Sequence, residues 1–455
     1  MIVAKKEHRA LDLRRFKPYP AYKDSDVEWL REIPAHWESL ALKRLVAPER
    51  PITYGIVQCG PEYPDGVPYI RPVDMEDEGG VKVEALQRTA PRIAAAYARS
   101  TVRLDDVVVS IGPSFGKAMI VPAELEGANL TQGTARVAPG RGVTSRFLFW
   151  TLRGETTRQA WDSCCSGATF RALTLETLGT CAVALPSTHE QASIAAFLDH
   201  ETSKIDSLVA KEERLIELLR EQRTALIIHA VTKGIDPSAP MKDSGVEWLG
   251  TTPAQWEIMK VTWLFSIGSG TTPRSEDPAY YGGEVPWITT SELRESVVVA
   301  TQKSVTKEAL RDHPSLKMHP EGSVAVAMYG ATIGRLGILG VAATVNQACC
   351  VFSNPRNVDT WFWFYWLQMR RSYLISLGYG GGQPNLSQEL LRSIRVPLPP
   401  LRDQQAIAQY LDRETARIDA LVSKVREVID RLKELRTALI SAAVTGKIDV
   451  REDVA

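Results

Sequence analysis

The sequence predicts an α+β fold: two globular, mixed, mainly β domains separated by two long α-helices packed as an antiparallel coiled coil, with a pseudo-twofold axis from internal duplication. Three observations carry this. Residues 23–38 (KDSDVEWLREIPAHWE) recur 219 positions later as residues 242–257 (KDSGVEWLGTTPAQWE), identical at 11 of 16 positions. Residues 186–236 align without gaps on 399–449, 213 positions later, identical at 26 of 51. Between these repeats lie two segments, about 39–185 and 258–398, rich in Gly, Val, Thr and Pro, in which the halves diverge. A period near half of the 455-residue chain marks tandem domain-sized units and not a solenoid of short repeats.

The expected division has five parts: a basic N-terminal tail (1–22), a first domain with the first short repeat (23–185), a first helical spacer (186–241), a second domain with the second short repeat (242–398) and a second helical spacer (399–449).

From Thr188 the chain is charged and helix-forming, with no Gly or Pro until Gly234. Ile205, Leu208, Leu215, Leu219 and Leu226 follow a heptad frame whose other two positions hold Glu212 and Gln222. The second copy fills the frame with Ile418, Leu421, Val425, Val428, Leu432, Leu435 and Leu439. A heptad of this length needs a partner helix, and the obvious partner is the other copy. Roughly 40 residues at about 1.5 Å per residue give a rod of about 60 Å, the length of a spacer. Gly234 and Gly446 supply the C-terminal stops, and Pro-rich stretches precede both starts. Asp199 and Glu201, like Asp412 and Glu414, fall on the polar side of the frame, where a plain solvated face is the default. Their identity in both copies hints instead at a shared partner, read twice.

Composition narrows the class. The chain is 44% hydrophobic, has no apolar run of 18 residues, and begins with a charged stretch where a signal peptide needs an apolar core. This predicts a cytoplasmic protein with no membrane association. The formal net charge is +0, which argues against a globally basic nucleic-acid binder while leaving local patches open. Lys5, Lys6, Arg9, Arg14, Arg15 and Lys17 make residues 1–17 basic; a solvated tail is the first reading and a DNA-contacting arm the second. Six cysteines (Cys59, Cys164, Cys165, Cys181, Cys349, Cys350) show neither CxxC spacing nor paired histidines, so no metal site is expected and buried reduced thiols are.

The divergent segments read as mainly β, with turns at 64–66, 281–283 and 378–385 and strand-like runs at 102–110 and 322–330. Aromatic helical patches occur at 146–161 and 361–374, with packing in a core as the reading for their rings. IGPSFGKAMIV (111–121) echoes YGATIGRLGIL (329–339), and ANLTQGTARV (128–137) echoes AATVNQACCV (342–351). One scaffold carrying different surface residues is how a recognition module changes specificity.

Taken in order, KDSGVEWLGTTPAQWE, SIGSGTTPRSEDPAYYGGEVPWIT (266–289), YGATIGRLGIL with NQACCVF, and GGGQPNLSQELLRSIRVPLPPLRDQQAIAQYLDRET (380–415) make the chain resemble a type I restriction-modification specificity subunit. The resemblance spans nearly everything from Lys23 to Asp449. The first half departs from it: PITYGIVQCGPEYPDGVPYIRP (51–72) stands in place of the SGTTPR stretch, and ATFRALTLE (168–176) in place of GQPNLSQE. It implies two target recognition domains, each reading one half of a split, asymmetric sequence in double-stranded DNA. It also implies helices that hold two methyltransferase subunits, joined by restriction and translocase subunits. Catalysis then belongs to the partners, with S-adenosylmethionine, ATP and Mg expected there and no cofactor in this chain.

The residues agree. NPPY or DPPF methyltransferase motifs, a Walker loop, H-E-x-x-H and a PD…ExK arrangement are all missing, and the glycines of GYGGGQPN lie outside a βαβ unit. Two alternatives stay open, a solitary DNA methyltransferase or nuclease, and a scaffold without DNA affinity. Base edges are told apart by Arg or Lys on guanine and Asn or Gln on adenine, and phosphates by Lys, Arg, Ser and Thr. Residues of these types near glycine turns are Thr271, Thr272, Arg274, Tyr329, Thr332, Arg335, Gln383 and Asn385 in the second domain. Their first-domain counterparts are Tyr54, Arg71, Ser114, Lys117, Arg136 and Arg171.

Overall fold

The computed structural model of the chain describes residues 16–113, 115–164, 172–377 and 385–452. Two compact units emerge, Met1–Glu213 with Arg426–Ala455, and Arg214–Val425. Both boundaries fall inside the long helices, Thr188–Lys233 and Leu401–Val444.

The first unit contains strands β1 (Tyr22–Asp24), β2 (Glu32–Pro34), β3 (Glu38–Ala41), β4 (Thr53–Tyr54), β5 (Val67–Ile70), β6 (Arg88–Thr89), β7 (Val107–Ser110), β8 (Ala118–Ile120), β9 (Asn129–Leu130), β10 (Thr134–Val137) and β11 (Ala182–Leu185). An antiparallel sheet runs β4-β10-β7-β8, and a smaller one runs β6-β5-β9 with β5 parallel to β9. The second unit contains β12 (Met241–Asp243), β13 (Thr251–Pro253), β14 (Glu257–Lys260), β15 (Ser266–Ser269), β16 (Tyr281–Ile288), β17 (Ser296–Val298), β18 (Lys303–Val305), β19 (Val324–Ala327), β20 (Leu336–Leu339), β21 (Thr344–Val345), β22 (Cys349–Ser353) and β23 (Arg395–Leu398). Its sheets run β15-β22-β19-β20-β17 and β18-β16-β21, the latter with β16 parallel to β21. Strand for strand this repeats the first unit, with β17 added at one edge.

Period-2 geometry explains why these strands read as continuous apolar runs. In β7, Val107 and Val109 pack with helix Ser145–Arg153, while Val108 turns to Ile70, Met119 and Leu130 under the smaller sheet. In β19, Val324 and Val326 pack with the aromatic helix Thr360–Ser376, and Ala325 and Ala327 pack with Ile288 and Val345. Phe362, Trp363 and Trp366 of that helix are buried, the two indoles stacked 5.1 Å apart.

The long helices start on a buried glutamine in each copy. Gln191 donates to the carbonyls of Gly142 and Pro186 and accepts from the Thr144 amide; Gln404 donates to Asn357 and Pro399 and accepts from Asp359. Each amide thereby ties the first turn of a long helix to the N-cap of the helix beside it. The helices stop at Gly234 and Gly446, with φ of 79° and 71°. Around the first stop, Lys233 bonds the Leu249 carbonyl and Thr251, and around the second the Tyr22 hydroxyl donates to the Gly446 carbonyl at 3.1 Å. The first long helix thus ends on the second short repeat, and the second on the first, with Trp256 and Trp37 buried at the two joints.

Within each unit the long helices pack antiparallel. In the first, Arg436 bonds Asp206 (2.9 and 3.3 Å); in the second, Arg223 approaches Asp419 at 3.2 Å. Both pairs have residue numbers that sum to 642, so one antiparallel register serves both units. Shifting Asp206 and Arg223 by 213 gives Asp419 and Arg436, so each ion pair is the image of the other under the duplication.

The seam needs one correction. Ile205, Ile418, Leu432 and Leu439 are buried, and Leu208, Leu219, Leu226, Val425, Val428 and Leu435 are half-buried, as the frame requires. Leu215 and Leu421 are exposed, at 41% and 44%, and their neighbours Ile216 and Val422 are buried instead. At 3.6 residues per turn, a residue four after a core position lies about 40° from it, whereas one three after lies about 60° away. The second row therefore runs Val209, Ile216, Arg223 and Ala230, one residue later than a strict a/d frame. Asp199 also departs from the solvated or partner-facing reading: it accepts from Arg146 at 2.8 and 2.9 Å and from the Trp150 indole at 2.8 Å, fastening helix Ser145–Arg153 to the long helix. Among the thiols, burial pushes Cys350 up to about 12 and Cys181 up to about 11, but Cys164 is exposed and Cys59 half-buried.

One buried carboxylate makes the first joint pH-sensitive. Glu190 accepts from His36 (2.8 Å), the Trp37 indole (3.3 Å) and the Ser187 hydroxyl (2.9 Å). Burial alone would raise its carboxyl, but the bonds from His36, Ser187 and Trp37 outweigh burial and hold it below the ordinary value. A folded value below the unfolded one adds stability above the unfolded value and loses it as pH falls through the folded value. Glu190→Gln is therefore expected to cost about 1–3 kcal/mol at neutral pH, with the gap to the unaltered chain closing on acidification below about pH 4. Denaturation midpoints measured across pH check this. For the seam, Ile216→Ala is expected to cost about 2 kcal/mol or more and Leu215→Ala less than about 1 kcal/mol, read as shifts in urea midpoint.

Candidate nucleic-acid interface

Antiparallel pairing brings particular loops of each sheet to one edge. In the second unit Ser269 pairs with Cys350, Ala327 with Cys349, and Val326 with Leu336. The loops after β15, after β19, before β20 and before β22 therefore lie together. Backbone bonds close the cluster: Met328 donates to Ala348 (2.8 Å), Leu386 to Met328 (2.7 Å) and Arg335 to Thr332 (3.0 Å).

Of the eight residues of the second domain singled out from sequence, seven lie among the described residues. Arg274, Tyr329, Arg335 and Asn385 are exposed, and Thr271, Thr272 and Thr332 are half-buried. The turns that hold them are tightly determined. At Gly270 an added Cβ would meet the Val345 carbonyl oxygen at 1.7 Å, so the strand crossing that launches Thr271 admits only glycine. Gly55 has the same role in the first unit, where a Cβ would meet the Leu130 oxygen at 1.9 Å. Gln383 lies outside the described residues.

The first unit gathers its own loops in the same way. Ile111 donates to the Gly133 carbonyl (2.8 Å), Leu173 to Ile111 (2.8 Å) and Gln132 to Ile56 (2.9 Å). Its predicted contacts are less free. Arg71 is spent on Asp74 through Nε and Nη2 (3.0 and 2.7 Å) and on Gln87 through Nη1 (2.7 Å). The Lys117 ammonium donates to the Met75 carbonyl (2.9 Å) and pairs with Asp77 (3.0 Å). Arg136 does not stand exposed on this edge: it is 4% exposed and donates to the carbonyls of Arg99, Thr101 and Pro51 from within β10. Tyr54, half-buried at the end of β4 beside Ala135, lines a cleft that also includes Arg136. Ser114 and Arg171 lie outside the described residues.

Two glutamines escaped the sequence reading. Gln347 is exposed at the turn before β22, and the Thr272 hydroxyl donates to its amide oxygen. Gln132 is exposed at the matching turn before β10. Both stand in the echoing segments TQGTARV and NQACCV, so the signal was in hand: a long amide at one place in both halves, of a type that pairs bidentately with adenine. Among the described residues no group of three or more His, Cys, Asp or Glu side chains could hold a metal ion, and no helix is long and apolar enough to cross a membrane.

Residues 253–431 match the family described as the Type I restriction modification DNA specificity domain. The specificity subunit assigned to type I restriction enzyme MjaX of Methanocaldococcus jannaschii is 28% identical over 275 residues, 59% of this chain and 60% of the relative. The chain thus matches about three-fifths of that relative's length. Among solved structures, one described as the structural basis of complex assembly and conformational transition of the type I R-M system superposes with a TM-score of 0.69, at 18% identity, over 91% of this chain and 99% of the other. The HsdS subunit from Thermoanaerobacter tengcongensis superposes with a TM-score of 0.56, at 16% identity, over 91% of this chain and 98% of its own. The fold is shared with both.

The glycine crossings generate a prediction. Gly270→Ala and Gly55→Ala each force a methyl into a backbone carbonyl and are expected to cost at least about 3 kcal/mol, seen as lowered melting temperature or loss of soluble chain.

Proposed function

We propose that the chain is a type I restriction-modification specificity subunit, which reads a bipartite, asymmetric DNA sequence without catalysing its modification or cleavage. Each sheet unit reads one half-site through the loop edge described above. The long helices set the spacing between half-sites and carry the methyltransferase subunits, with restriction subunits joining that core. S-adenosylmethionine, ATP and Mg belong to those partners, and the setting is cytoplasmic. The domain limits 23–185 and 242–398 mark the two readers, and 186–241 and 399–449 the spacers.

The observation that carries this reading is the duplication of one loop edge on two sheets of the same topology with different exposed side chains. A catalytic site has no reason to be copied and then diversified only at its rim; a pair of readers for two unlike half-sites does. The neutral net charge fits a reader whose phosphate contacts are shared with partner subunits. In the second unit, Arg274 and Arg335 supply the charge, and Gln347, oriented by Thr272, leaves its amide hydrogens for an acceptor on a base edge.

Footprinting with and without the methyltransferase partner tests the reading: two protected half-sites flanking an unprotected spacer are expected. Methyl transfer or cleavage by the purified chain alone would replace it with an enzyme. Arg335→Ala is expected to weaken binding to the second half-site by about 1–3 kcal/mol, and equal loss on unrelated DNA would reassign Arg335 to phosphate. Inserting one heptad between Thr188 and His229 is expected to change the spacer and leave both half-sites unaltered, measured by selection of bound sequences.

A further inference from the structure

Along the β4 side of the first unit's large sheet lies a cleft of about 620 Å³ whose lining runs from Glu49 and Arg50 to Tyr54 and includes Arg99, Arg103 and Arg136. Its charges do not cancel. Arg50, 15% exposed, spends its guanidinium on buried Asp106 at 2.7 and 2.5 Å. Arg136 is 4% exposed and meets only backbone carbonyls, with no carboxylate, and its Nε is buried without a hydrogen-bond partner. Arg99 and Arg103 stand exposed on the rim. Among the lining residues four carry a guanidinium and one, Glu49, a carboxylate, with Asp106 buried against Arg50.

A buried guanidinium without a counter-ion is costly unless an anion comes to it. Burial first, and then the charge of Arg50, lower the Arg136 guanidinium from its ordinary value; the Asp106 carboxylate opposes them and Arg103 adds to them. In the second unit β22 carries apolar Val351 where β10 carries Arg136, so the buried guanidinium is not part of the duplicated scaffold. Planar, forked donors in this number suit one ligand chemistry above others, the oxygens of phosphate.

We propose that this cleft binds a phosphate group, supplied either by the DNA backbone beside the first half-site or by a free nucleotide. The cleft adjoins the loop edge at Tyr54, and its DNA source rests on the proposed reading of a first half-site, whereas uptake of free phosphate does not.

The test uses the full chain with its methyltransferase partner and compares it with an Arg99→Ala/Arg103→Ala variant, whose substituted side chains are exposed and whose unchanged melting temperature shows an intact fold. Calorimetric titration with inorganic phosphate is expected to show binding that the variant weakens at least about tenfold. The salt dependence of binding to a non-target duplex then identifies the source. A slope reduced by about 1–2 in the variant assigns the phosphate to DNA, and an unchanged slope, with ATP binding lost in the variant, assigns it to a nucleotide. An unaltered chain that takes up no phosphate, or a variant that binds it equally well, overturns the proposal.

Discussion

The structure depends on one contact made twice, an aspartate on one long helix ion-paired with an arginine on the other, Asp206 with Arg436 and Asp419 with Arg223. Symmetric homodimers make isologous contacts, in which residue i of one copy meets residue j of the other and the reverse holds as well. Here duplication has placed both copies in one chain, and the same reciprocity fixes an antiparallel register from within. Exposed ion pairs contribute little energy, so this pair's service is to choose a register, while Ile205, Ile216, Val422 and Leu432 supply the apolar burial. The joints at Trp37 and Trp256 tie each helix end to the short repeat of its own unit.

Scaffold and surface diverge at different rates for a physical reason. Gly55 and Gly270, Gln191 and Gln404, and the alternating cores of β7 and β19 are held by close backbone approach or complete burial, where any change is felt throughout a unit. Loop-edge side chains answer to no such constraint. In the first unit, Arg71 and Lys117 have been drawn into internal bonds, whereas Arg274 and Arg335 of the second stand exposed. Equal numbers of basic and acidic residues therefore conceal an uneven distribution of usable charge.

Much of the fold was legible in the sequence because periodicity and repetition are readable without neighbours. The duplication, both long helices with their glycine stops, and the mainly β segments between them follow from spacing alone. What failed did so where three dimensions decide. Leu215 and Ile216 are both apolar and adjacent, and only the pitch of the pair says which points inward. Arg136 is an arginine near glycine turns like any other, but its place within β10 leaves it buried. Asp199 looked solvated because Arg146 and Trp150 lie some fifty positions away. Gln132 and Gln347 were visible in echoing segments, yet their shared exposure is a property of the sheet edge and not of the string.

The most direct measurement is of distances between paired spin labels on the long helices. Ser207 with Thr437, and their images under the duplication, Ala420 with Thr224, should each give short separations, set by helix axes about 10 Å apart plus the reach of the labels. A short separation between Ser207 and Ala420 instead would mean that the helices run parallel, and the account built on their antiparallel register would fail.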